Sequence, residues 1–137
     1  MEYLIGIFLA VGVAALATGS GMDRSRSFYP TVAIAVPFYY VLFAVMGAST
    51  GVIGTETSVS LGFTTLAVIG FKRNLWLAAA ALAGHGLFDA VHHLFIQNPG
   101  VPVWWPGFCG TVDVLLGAWA AIRLLKAPAG TAISERA

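Results

Sequence analysis

Residues 75–96 read LWLAAAALAGHGLFDAVHHLFI, a stretch without Lys, Arg or Glu that nevertheless holds all three histidines of the chain and one aspartate. A helix needs roughly 20 mostly apolar residues to cross about 30 Å of hydrocarbon, and this stretch has that length. It is bounded on one side by the charged turn Lys72-Arg73-Asn74 and on the other by Asn98-Pro99-Gly100-Val101-Pro102. Proline removes a backbone donor and disfavours helix at the residue before it, so the second boundary is sharp.

Outward from there the pattern repeats. Apolar stretches at 3–18, 30–48, 55–71 and 106–125 join 75–96 as five candidate spans. The breaks are Gly19-Ser20-Gly21-Met22-Asp23-Arg24-Ser25-Arg26, the glycine-bearing 47–54, and the two turns already named. The third span is the shortest of the later ones and is rich in Thr and Ser. The chain has 137 residues, of which 58% are hydrophobic and only 9% charged, against about 25% charged in an average soluble domain. So short a chain cannot hide that much apolar area in its own core, and lipid takes the excess. The expected fold is all-α: one domain, residues 1–126, forming a bundle of about five transmembrane helices, with 127–137 a disordered cytoplasmic tail.

The first segment begins Met1-Glu2 and lacks the basic n-region of a secretory signal, so it reads as a retained helix. Trp104 and Trp105 precede the last span, where an aromatic belt would meet the headgroups, and Pro106 suits a first helical turn. With five spans, all seven Lys and Arg (Arg24, Arg26, Lys72, Arg73, Arg123, Lys126, Arg136) fall on one side. The positive-inside rule makes that side cytoplasmic, which puts the N-terminus out and the C-terminus in. A net charge of +1 without a basic stripe points to no nucleic-acid partner, and the single cysteine, Cys109, leaves no internal disulfide.

Ionisable residues within a span are costly and usually face the bundle interior or a cavity. At about 100° per residue, His85, Asp89, His92 and His93 share an arc of roughly 100°. Cys109 and Asp113, four apart, share a face of the last span. Counting about 1.5 Å per residue from the intervening loop puts Asp113 level with Asp89 and His92, with Cys109 nearer His93 and His85 deeper. Glu56 starts the third span on the same side, so one site in the outer half of the bilayer is expected. Its metal ligands would come from His85, Asp89, His92, His93 and Asp113, with Glu56 and Cys109 as further candidates. Imidazole and carboxylate suit a transition metal, zinc or iron first. Taken singly, Cys109 reads as a small buried apolar side chain and Glu56 as a helix-start carboxylate. The same polar groups would also serve as a structural hydrogen-bond network or a proton path.

The pattern H-x3-D-x2-H-H at His85 to His93, followed by W-P-x-x-C-x3-D from Trp105 to Asp113, resembles an uncharacterised family of small bacterial multi-span membrane proteins. The resemblance implies a bacterial inner membrane and no assigned activity. Asp89-x-x-His92-His93 is loosely similar to the histidine boxes of membrane hydroxylases and desaturases, but three histidines cannot supply their full set. Membrane ceramidase-like hydrolases share residue types and not arrangement. The functional expectation is therefore a metal-binding membrane protein acting on a lipid or small hydrophobic substrate. The alternatives are an accessory subunit of a larger membrane complex, or a small transporter or proton path. Membrane lipid and further copies of the chain are the expected partners.

Overall fold

Hydrocarbon offers no water to backbone N–H and C=O groups, so a spanning segment must close its hydrogen bonds internally. The computed structural model of the chain meets this with helices and no strand among the residues it describes, 1–126. The expected tail, 127–137, lies outside the described residues. The helices are α1 Glu2–Ser20, α2 Phe28–Ala35, α3 Phe38–Gly47, α4 Thr50–Lys72, α5 Leu75–Phe95 and α6 Trp105–Lys126.

Four stretches are long and apolar enough to cross a membrane: Glu2–Ser20, Phe28–Gly47, Thr50–Lys72 and Trp105–Lys126. By length and composition they fit a multi-pass membrane protein. The expected fifth span, α5, has the length at 21 residues, but its histidines and Asp89 dilute its hydropathy. It is also the helix that the others enclose, packing against α6, α4 and α2. Its buried face consists of Ala78, Ala79, Ala81, Leu82, His85, Gly86, Asp89 and His92. Small residues let neighbouring backbones come close, which is how helices associate where lipid gives no hydrophobic drive.

α1 shows the same logic at the periphery. It packs on α6 through Gly6, Ala10 and Ala17, while Leu4, Phe8 and Leu16 point outward. It ends at Gly21, whose φ of 79° is the left-handed C-cap that glycine adopts without a Cβ clash.

Two elements differ from expectation. The third span was expected at 55–71; α4 instead begins at Thr50, capped by Ser49, whose Oγ accepts from the Val52 N–H at 3.4 Å. The glycine-bearing stretch is therefore mostly helix, and the connection shrinks to Ala48 and Ser49. Most of the hydroxyls that made this span look marginal are satisfied within it, Thr64 being buried without a partner. Thr55, Thr57, Ser58 and Thr65 each donate to the carbonyl four residues back. The second span is broken at Pro37 into α2 and α3, as a residue without an N–H requires. The Pro37 carbonyl accepts from the buried Ser60 Oγ at 3.0 Å, tying the break to α4.

The basic residues gather where α1, α4 and α6 end. Arg26 donates to the Phe71 carbonyl at 3.0 Å, and Arg123 pairs with the buried Asp23 at 2.9 Å. Asp23 also accepts from Thr18, which in turn accepts from the Trp119 indole N–H.

Candidate metal centre

The polar residues of α5 and α6 meet because the two helices cross at glycines. A Cβ on Gly86 would lie 2.6 Å from the Gly110 carbonyl oxygen, and one on Gly110 would lie 2.8 Å from that of Gly86. No side chain fits at either position. Flanking this crossing, His85 and Asp89 of α5 face Cys109 and Asp113 of α6, with one ligand atom of each within 4.8 Å of all the others. All four side chains are buried, Asp89 and Asp113 completely.

His85 Nδ1 lies 2.7 Å from Asp113 Oδ2. With Asp113 ionised, its carboxylate only accepts; the imidazole would then donate there and leave its lone pair on Nε2. That Nε2 points at Asp89 Oδ1 across 3.8 Å, too far for a hydrogen bond. Two atoms bound at about 2.0–2.1 Å to one tetrahedral metal lie roughly 3.4 Å apart, so the gap is close to a metal-bridged spacing. Cys109 Sγ stands 3.7 Å from Asp113 Oδ2. Both carboxylate oxygens of Asp89 and Oδ1 of Asp113 are buried without a hydrogen-bond partner. Buried polar atoms are nearly always paired; here the Tyr40 hydroxyl and the Cys109 thiol approach Asp89, and the four side chains have a spacing that could hold a metal ion.

Glu56 and His92 belong elsewhere. They were expected in the same site, but Glu56 lies six residues into α4 instead of at its start. From there its Oε1 accepts from His92 Nε2 at 2.9 Å and from Asn98 Nδ2 at 2.8 Å. Asn98 also donates to the Tyr40 carbonyl at 3.0 Å, so the α5–α6 loop is fastened to α3 and α4. His93 is exposed and joins neither group. It lies about 100° around the helix from His92, which carries it off the seam. The depth order also shifts. Asp113 pairs with His85, one turn deeper than its expected neighbour Asp89.

Tyr40 of α3 lies between the two polar groups. Its ring is 4.3 Å from that of His92 and 5.9 Å from that of His85, and its buried hydroxyl approaches Asp89. Trp105 packs on Tyr39 and Phe43 of α3, while its neighbour Trp104 is half exposed.

Comparisons with protein-family models, with curated proteins and with solved structures gave no match. What the cluster does is therefore read from its own residues.

Proposed function

We propose that this membrane protein binds a divalent transition metal, zinc or iron, between α5 and α6. His85 Nε2, the Asp89 carboxylate and Cys109 Sγ are the ligands, and Asp113 orients His85 through Nδ1. The observation that carries this reading is the buried set of ligand atoms on His85, Asp89, Cys109 and Asp113, all within 4.8 Å of one another. The magnitudes favour it. An Asp at the centre of a membrane helix costs about 2.5–3.5 kcal/mol on insertion scales, and two are present. One interhelical hydrogen bond returns on average about 0.6 kcal/mol. The His85–Asp113 bond alone is thus too weak a reason to keep both acids there, whereas a divalent cation would balance the Asp89 carboxylate and the Cys109 thiolate beside the His85–Asp113 pair.

Nitrogen, oxygen and sulfur donors together suit zinc or iron over magnesium or calcium. The carboxylate behind His85 is the usual device for fixing a ligand's tautomer. With three protein ligands the metal would keep an open position, where it would supply Lewis-acid polarisation of a bound oxygen. A lipid or small hydrophobic molecule is the substrate class that such a site meets. A proton path fits less well. The polar seam runs from Glu56 and His92 past Tyr40 to His85 and Asp113, and beyond that the core is Ala67, Ala79, Leu82, Leu116 and Ala120.

The test is elemental mass spectrometry on untagged native protein. About one zinc or iron per chain is expected, lost in Cys109→Ser and His85→Ala, kept in His93→Ala, and bound roughly 10–100-fold more weakly in Asp113→Asn. A folded wild-type protein that stays metal-free after incubation with zinc or ferrous iron overturns the proposal, as does equal loss in His93→Ala.

A further inference from the structure

A second feature of the same helix hairpin is a partly open cavity of about 800 Å³ between α1, α5 and α6, on the face of α5 turned away from α4. Its lining is graded along the helix axes. Glu2, His93 and Gln97 surround the end nearest the α5–α6 loop, while Ile7, Val114 and Leu115 line the deep end. Gly86, Asp89 and Gly110 form the wall between them, and Asp89 itself is fully covered there. The helical register explains the layout. His93 and Gln97 lie one turn apart, and the small, exposed Ala90 leaves room below them.

We infer that this cavity holds a single-chain amphiphile with a neutral or cationic head, a long-chain alcohol or amine, its chain directed toward Ile7 and Leu115. The volume lies within the usual range of roughly 300–1,000 Å³ for small-molecule sites. The polar-to-apolar gradient matches one head and one chain. The charge of the mouth selects the head. It offers the Glu2 carboxylate, the imidazoles of His92 and His93 and the amides of Gln97 and Asn98, and no Lys or Arg borders it. An anionic head would meet the Glu2 carboxylate and no Lys or Arg, whereas the amides and imidazoles can hydrogen-bond an uncharged head as well. The occupant would lie against the wall that separates the cavity from the cluster of His85, Asp89, Cys109 and Asp113. Occupancy does not depend on a metal being bound there.

The experiment uses full-length protein in nanodiscs and three photoactivatable probes of equal chain length, an alcohol, an amine and a carboxylate, with peptide mapping of the adducts. Metal content is measured on the same samples, so a failure of the metal proposal and a failure of this one are read separately. The expected result is adducts on α1, α5 and α6 from the alcohol or amine, at least severalfold above the carboxylate. Ala90→Trp, which fills the cavity from an exposed position, abolishes them, and Leu61→Trp on the outer face of α4 leaves them unchanged. Labelling spread over all exposed apolar faces, labelling insensitive to Ala90→Trp in a folded protein, or preference for the carboxylate overturns the proposal.

Discussion

At the scale of single residues, the molecule depends most on two hydrogens, the ones that stand where Gly86 and Gly110 would otherwise carry a side chain. Their contact sets the distance between α5 and α6, and hence the spacing of His85, Asp89, Cys109 and Asp113. Gly110→Ala would place a Cβ 2.8 Å from the Gly86 carbonyl oxygen and 3.3 Å from Asp89 Cβ. Both neighbours belong to a packed helix and cannot yield cheaply, so the helices must separate. Overpacking of this kind costs about 1–3 kcal/mol. The expected outcome is a lower thermal midpoint in detergent, followed by circular dichroism, together with weaker metal retention. Gly84→Ala, at the residue before His85 but with nothing within 4 Å of the added Cβ, is the control and should melt no lower than wild type. If both variants melt alike, the glycine crossing does not set the spacing.

At the scale of elements, the α5–α6 loop is a strap held at one point. Asn98 donates to Glu56 of α4 and to the carbonyl of Tyr40 on α3. Asn98→Ala removes these two bonds and the one its Oδ1 accepts from the Gly100 N–H, leaving a part-buried carbonyl and a carboxylate each one partner short, at about 1–3 kcal/mol. Amide exchange across 96–104 should quicken while exchange in α5 below His85 stays slow; equal change in both regions would mean that the bundle, not the strap, has loosened. This level also shows what the sequence could and could not disclose. The helices were legible because charge is almost confined to the turns, and the acid and histidine positions on α5 stood out as costly. Glu56 was misplaced because glycines at 51 and 54 suggested a loop, whereas a Ser49 cap and self-satisfied hydroxyls carry the helix through them. His92 and His93 were assigned to one face because adjacent residues on a helix are only 100° apart, and which of the two turns inward depends on where α4 supplies a partner. The pairing of Asp113 with His85 instead of Asp89 reflects an offset of a single turn. Counting residues from a loop cannot resolve that, because the glycine crossing fixes it.

At the scale of the whole molecule, polarity is divided between the two ends. The six described basic residues sit at the end where α1, α4 and α6 finish, with Asp23 and Arg123 joined at 2.9 Å beneath them. The opposite end carries Glu2, the Glu56–His92–Asn98 group and the mouth of the cavity, without a Lys or Arg. A basic excess within short loops keeps those loops in the cytoplasm, so the cavity and the polar seam are expected to open outward. Cys109 is buried and is the only native thiol, so it should stay silent toward a membrane-impermeant maleimide and allow single added cysteines to report. Pro99→Cys, in the α5–α6 loop, should label in intact cells. Ser25→Cys, in the first loop, should label only after the membrane is opened. The reverse pattern would place the cavity toward the cytoplasm, and its amphiphile would then have to come from the inner leaflet. Labelling of both positions in intact cells would show dual insertion, which the one-sided charge distribution argues against.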